Sequence, residues 1–200
     1  MADDLAATLA LPIASGLVGA ADTPRFAWVE NAGGARNIWV AARGVPARAI
    51  TVFTEDDGQQ LSDLALTRDG ARVAFVRGGD PEFPDGSIPN TAASATPPKQ
   101  QLFITSATGG VAELVGEGHA PVFAPDGERL AFTRKGEIWL WSRATGGQRI
   151  ATVAGDVSRL EWSPDGRQLL FVDERGDHSF IALLDVAARG EGRLRYLDPG

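Results

Sequence analysis

His119 and His178 are the only imidazoles in this 200-residue chain, and they lie far apart in it. Acyl-transfer chemistry of the serine type needs a histidine bonded to both a nucleophile and an orienting acid. No Gly-x-Ser-x-Gly turn singles out a serine for that role. Both histidines are therefore read as hydrogen-bonding residues of the scaffold. Carboxylates gather in two places: Glu55-Asp56-Asp57, and Asp80, Glu82 and Asp85 within a Pro-rich stretch. A calcium loop wants oxygen ligands at alternating positions and a following Glu, a spacing that Glu55–Asp57 lacks. That run reads as a solvated crossing with Asp57-Gly58 as its turn, and the second run as similar surface charge. All six acids remain the candidates for facing a ligand, because they sit on expected loops. With no Cys there is neither a disulfide nor a thiolate metal site, and the Gly-Gly pairs lack the Lys-Ser/Thr of a phosphate loop. No catalytic residue, metal ligand or cofactor is assigned.

The elements that must carry these residues repeat. In Leu160–Asp185, LEWSPDGRQLLFVDERGDHSFIALLD, three short apolar runs are separated by Ser163-Pro164-Asp165-Gly166 and Glu174-Arg175-Gly176-Asp177. Pro presets φ, Asp bonds its own backbone and Gly takes the left-handed place, so each gap is a tight turn in an antiparallel meander. Leu169–Val172 is apolar without alternation, which predicts a strand covered on both faces. The same unit recurs at Ala120–Thr133 (APVFAPDGERLAFT) and Asp63–Arg77 (DLALTRDGARVAFVR), with a worn copy, RFAWVE, behind Ala21-Asp22-Thr23-Pro24. The turn aspartates Asp22, Asp69, Asp126 and Asp165 are 47, 57 and 39 residues apart. Such periods, with several strands each, predict an all-β fold: about four blades of a β-propeller, each a four-stranded meander. The five tryptophans fall in or beside expected strands and read as blade packing.

The blades are expected near 13–53, 62–115, 121–152 and 158–197. The fourth strand of the first is expected at Ala49–Phe53, and a short capped helix at Asp4–Ala10 within the lead-in 1–12. Gly78–Lys99 is far longer than a hairpin requires and reads as a loop with little structure of its own. Strand parity puts the b–c loops and d–a crossings on one face, which therefore carries Asn31–Arg36, Glu55–Asp57, Gly78–Lys99 and Glu174–Asp177. The repetitive turns occupy the other. A formal net charge of −7 argues against nucleic acid or an anionic membrane as partner. Leu5–Ala21 is interrupted by Pro and Gly and is short for a membrane span; Asp3 and Asp4 precede it where a signal peptide wants basic residues.

Several stretches together resemble bacterial dipeptidyl and acylaminoacyl peptidases of the prolyl oligopeptidase family: Asn37–Ala41 (NIWVA), Thr54–Leu61 (TEDDGQQL), Val76–Asp80 (VRGGD), the Ala-Pro-Asp-Gly turn, and Gly176–Ile181 (GDHSFI). The Pro-Asp-Gly turn is shared with Tol-type propellers. The resemblance implies the N-terminal part of a seven- or eight-bladed propeller, which gates a Ser–Asp–His hydrolase domain that is not in this chain. The implied partners are that α/β-hydrolase domain of the same protein and short peptide substrates, and the implied compartment is periplasmic or secreted. No signal peptide is visible, which leaves the cytoplasm open. The family's paired glutamates have no match here, and Asp56-Asp57 is not that motif. The alternative is a stand-alone Tol-type propeller that binds proteins. The end at Leu197–Gly200 reads as a step to a next blade, so a partial ring would leave outer flanks bare. Two copies could then pair open end to open end into an eight-bladed ring, a homo-oligomer of two-fold symmetry.

Overall fold

The computed structural model describes residues 11–79, 95, 98–187 and 190–197. The expected helix at Asp4–Ala10 and most of the Gly78–Lys99 loop lie outside these residues. The described chain forms four separate four-stranded sheets, each an antiparallel meander in strict chain order. Blade one holds β1 (Ile13–Gly19), β2 (Arg25–Ala32), β3 (Ala35–Ala42) and β4 (Val45–Ala49). Blade two holds β5 (Leu61–Leu66), β6 (Arg72–Arg77), β7 (Gln101–Ser106) and β8 (Glu113–Glu117). Blade three holds β9 (His119–Phe123), β10 (Arg129–Arg134), β11 (Glu137–Ser142) and β12 (Gly146–Thr152). Blade four holds β13 (Asp156–Trp162), β14 (Gln168–Arg175), β15 (His178–Asp185) and β16 (Arg193–Leu197).

The first strands β1, β5, β9 and β13 pack on one another in succession and so line the inner side of the arc. Each carries a bulge against its neighbour, and each bulge holds one residue in the left-handed region: Gly16 (φ 63°), Asp63 (φ 50°), Ala120 (φ 49°) and Arg159 (φ 53°). A bulge sharpens strand twist, which lets four strands splay from a narrow axis to a wide rim. The Asp63 carboxylate accepts from the Ala120 N–H at 2.8 Å, tying one bulge to the next.

Successive blades bury alternating rows of the second and third strands. Ala27 shares a cluster with Val73 and Phe75, Ala74 with Leu130 and Phe132, and Ala131 with Leu169 and Phe171. Each junction thus seats an aromatic knob near an alanine, and every one of these residues is buried. Burying each Phe contributes roughly 1.5–3 kcal/mol. A second device repeats at the turns. Arg25 donates to the Gly70 carbonyl at 2.7 Å, Arg72 to that of Gly127, and Arg129 to that of Gly166 at 2.9 Å. The arginine that opens strand b of one blade is latched to the turn glycine of the next. Gly166 has φ +68°, and a Cβ there would stand 2.8 Å from the Arg129 guanidinium. The Asp-Gly turn is therefore an inter-blade socket as well as a hairpin.

Two expectations are corrected. Strand β4 ends at Ala49, where a strand over Ala49–Phe53 was predicted. After one further backbone bond, from the Ile50 N–H to the Ile38 carbonyl at 2.8 Å, side chains replace the ladder: the Asn37 amide donates to the Phe53 carbonyl at 2.8 Å and accepts from the Phe53 N–H at 2.8 Å, while the Ile38 N–H donates to the Thr51 hydroxyl at 2.9 Å. The Leu169–Val172 strand is covered on one face only. Leu169 and Phe171 are buried against blade three, but Leu170 is 39% exposed. The central blades differ: β6 and β10 bury four consecutive residues each, because blades stand on both sides of them.

Candidate functional site

Strand b ends and strand c begins on the face that strand parity assigned to the variable loops. Asp56 and Asp57 come to this face on the crossing from blade one to blade two, with Glu55 exposed beside them. The Asp57 carboxylate accepts from the Gln59 N–H at 3.0 Å, and Gly58 takes φ 69°, so the Asp57-Gly58 turn forms as the sequence requires. Asp56 lies 3.5 Å from the Arg36 guanidinium, and Asp57 pairs with Arg77. The acids are thus brought to arginines of two neighbouring blades, and not to one another around a central ion. Asp80, Glu82 and Asp85 lie outside the described residues. Among the described residues no group of three His, Cys, Asp or Glu side chains could hold a metal ion.

The ion pairs continue around the face. Lys99 and Arg134 both reach Glu117, at 2.5 and 3.6 Å, and the Lys99 hydrogen bond chiefly holds that carboxyl below its ordinary pKa. Exposed pairs of this kind contribute about 0–1 kcal/mol each, so a charged ligand can exchange with them at little cost. Blade four is built differently. Asp173 is fully buried and accepts from Arg175 Nε (2.9 Å) and Nη2 (2.6 Å), Tyr196 Oη (2.9 Å) and Gly155 N (2.9 Å). Burial pushes its carboxyl pKa up, but the Arg175, Tyr196 and Gly155 donors more than offset this and hold it low. The Arg175 guanidinium lies over the rings of Phe180 (4.8 Å) and Tyr196 (5.1 Å).

A cleft of about 540 Å³ opens between blades one and two. Its walls are the Phe75–Phe103 stack (ring centroids 5.5 Å apart), Phe53 and Ile50, with Val52 and Val111 exposed at its rim. Arg77 stands in the lining, its guanidinium 4.5 Å from the centre of the Phe53 ring. The cleft lies where the chain leaves the sheet edge after Ile50, with Thr51 and Phe53 held by the Asn37 side chain in place of a strand. An apolar wall with one cation suits the binding of an apolar group. The sequence reading missed this site, which is assembled from Phe53, Phe75, Phe103 and Val111 of two blades. The available signal was the arginine closing both VAFVR and LAFTR. Of the two histidines, His119 is buried against the Thr133 hydroxyl (3.0 Å from Nδ1), and His178 is exposed and lies 2.7 Å from Asp177. Trp28 stacks on Trp39 and Trp139 on Phe132 within their blades, and the Trp162 indole N–H donates to the Val122 carbonyl of the preceding blade at 3.1 Å.

Fold and faces together define a segment of a β-propeller whose variable-loop face carries charged and aromatic groups. No protein-family model matches the chain. It is 29% identical over 159 residues to dipeptidyl-peptidase 5 of Aspergillus fumigatus, covering 70% of this chain and 22% of that protein. The chain therefore spans about a fifth of the length of the curated relative it matches. Among solved structures it is similar to a prolyl endopeptidase (TM-score 0.65, 16% identity, 96% of this chain and 31% of that one). It is likewise similar to TolB from Acinetobacter baumannii (TM-score 0.62, 18% identity, 94% of this chain and 44% of that one). At these identities the two structures establish the propeller fold. The sequence match adds that the chain is similar to a peptidase's propeller part.

Proposed function

We propose that this chain is the propeller part of a serine peptidase, with its variable-loop face turned towards a hydrolase domain that it gates. The observation that carries this reading is the sequence match to dipeptidyl-peptidase 5 over 70% of the chain. A rigid ring face excludes folded chains from the hydrolase domain and admits short peptides. The exchangeable pairs Arg36–Asp56 and Arg77–Asp57 lie where a peptide would pass. Chemistry in the intact protein would be acyl transfer through a serine supplied by the other domain. The similarity to TolB favours a second reading, a stand-alone scaffold that binds proteins and does no chemistry.

The reading frame that encodes this chain distinguishes the two. The peptidase reading requires a Gly-x-Ser-x-Gly segment downstream, and a frame without one leaves the scaffold reading. The 200-residue chain itself is expected to show no turnover of dipeptidyl or aminoacyl chromogenic amides. Activity that persisted through purification and vanished on replacing one of its own serines would refute this division of labour.

A further inference from the structure

The cleft between blades one and two is walled by adjacent blades, so its lining does not depend on the flank of blade four. Its polar and apolar parts are separated. Ile50 and Phe75 are buried at its base, Phe103 stacks on Phe75, and Val52 and Val111 make an apolar rim. Among the described residues that line it, Arg77 alone carries a charge. Thr51 is already engaged: its hydroxyl accepts from the Ile38 N–H and donates to the Asn37 amide oxygen, both at 2.9 Å. The next seam offers a comparison. Phe75 pairs with Phe103 and Phe132 with Trp139, so Arg77 and Arg134, each two residues past its Phe, hold equivalent places. Ahead of Arg134, β8 ladders to Gln101, the first residue of β7, and Arg134 reaches Glu117 at the end of β8. Ahead of Arg77, β4 stops its ladder at Trp39, inside β3. Arg77 therefore stands beside crossing residues that no longer pair as a strand.

We propose that this cleft binds a small monocarboxylic acid with an aromatic or branched aliphatic body. The body lies against Phe103 and Val111, and the carboxylate bonds the Arg77 guanidinium. Charge complementarity selects the anion, since the one charge in the lining is positive. Phe53 lies under the guanidinium, 4.5 Å from ring centre to Cζ, and leaves its edge donors for a carboxylate in the same plane. Asp57 takes a bond from one of its nitrogens, Nη2. Partly exposed pairs of this kind hold weakly, so a bound carboxylate shares the guanidinium or takes the place of Asp57. The volume of about 540 Å³ lies within the roughly 300–1,000 Å³ of small-molecule sites. A peptide fits less well. It brings an amide with every residue, and the apolar walls would leave those groups unpaired. The site goes beyond the peptidase reading, and it stands whether the chain gates a hydrolase domain or binds proteins.

Nitrogen–proton NMR titration of the 200-residue chain tests it with three probes of one shape: 4-phenylbutyrate, its primary amide, and 4-phenylbutylamine. The acid should bind about ten-fold tighter than the amide or the amine, with the amide signals of Val52, Val111 and Ala112 shifting. Arg77→Gln should weaken the acid about ten-fold, to the level of the amide, and leave amide binding unchanged. Asp57→Asn removes the internal competitor and should tighten the acid about two- to five-fold, with no change for the amide. A lost contact in the scaffold would not produce that gain. Val111→Glu, at a position 99% exposed, should weaken the acid without altering the β circular-dichroism signal. Equal binding of acid and amide, shifts confined to other blades, or acid binding that survives Arg77→Gln would each overturn the proposal. An acetylated dipeptide acid that bound tighter than 4-phenylbutyrate would overturn it in favour of a peptide end.

Discussion

The inter-blade latch can be weighed with two glycines of the same backbone conformation. Gly166 (φ +68°) receives Arg129, whereas Gly146 (φ +67°) has nothing within 4 Å of where a Cβ would stand. Gly146→Ala therefore costs only the left-handed backbone term, about 1–2 kcal/mol. Gly166→Ala has the same term, and its methyl also meets Arg129 Nη2 at 2.8 Å. The guanidinium must withdraw and lose its bond to the Gly166 carbonyl; a bond to a charged donor contributes about 1.5–3 kcal/mol. The expected total for Gly166→Ala is about 2.5–5 kcal/mol. Urea unfolding followed by tryptophan fluorescence gives both values, provided the m-value is unchanged. In an Arg129→Ala background the two glycine substitutions should cost the same within about 0.5 kcal/mol. Equal costs in the unmutated chain, or an excess at Gly166 that survives the loss of Arg129, would refute the latch.

Other outcomes follow from sites already described. Asp173→Asn should destabilise the chain by about 2–4 kcal/mol at pH 7, since it uncouples a buried carboxylate from Arg175 and Tyr196. The folded carboxyl is held low, so its contribution is present above the unfolded pKa of about 3.9 and fades as pH falls through the folded value. The gap in thermal midpoint between the two proteins should therefore narrow below about pH 4, and a gap that stayed constant to pH 2 would contradict the assignment. Asn37→Ala should free residues 51–53 from the sheet, so that the Phe53 amide exchanges much faster in deuterium oxide while core amides keep their protection. Ala120→Gly relieves a left-handed alanine and should stabilise by about 0.5–1 kcal/mol, a gain that urea melts resolve.

The repeat was legible because its punctuation is local. Asp-Gly at Asp69-Gly70, Asp126-Gly127 and Asp165-Gly166 fixes the a–b turns, and the meander expected in Leu160–Asp185 forms as β13, β14 and β15. Features that depend on two blades at once were not legible. Gly166 reads as a turn residue in sequence; its second role appears only when Arg129 of the preceding blade arrives. The displaced end of blade one depends on Asn37 and Thr51 acting as substitutes for backbone groups, which no strand periodicity reports. The run Leu169–Val172 resembles the interior strands Val73–Val76 and Leu130–Thr133 in composition. Whether its second face is covered depends on the neighbour, not on the run. The cleft escaped for the same reason, since its aromatic wall belongs partly to a crossing and partly to two strands of the following blade.

The latch also bears on how such a chain can be cut, grafted or multiplied. A segment copied from one turn glycine to the next carries its own arginine, but leaves behind the arginine that fills its socket. The piece that can be moved intact is the seam: strand b of one blade together with the turn of its successor. A blade transplanted alone brings a glycine with no arginine to receive and an arginine with no carbonyl to reach. Gene duplication that preserved contact between neighbours would have to conserve that offset. In this chain Arg25, Arg72 and Arg129 each meet a glycine that lies 45, 55 and 37 residues further on, so unequal blade lengths are absorbed by the loops and the seam keeps one form.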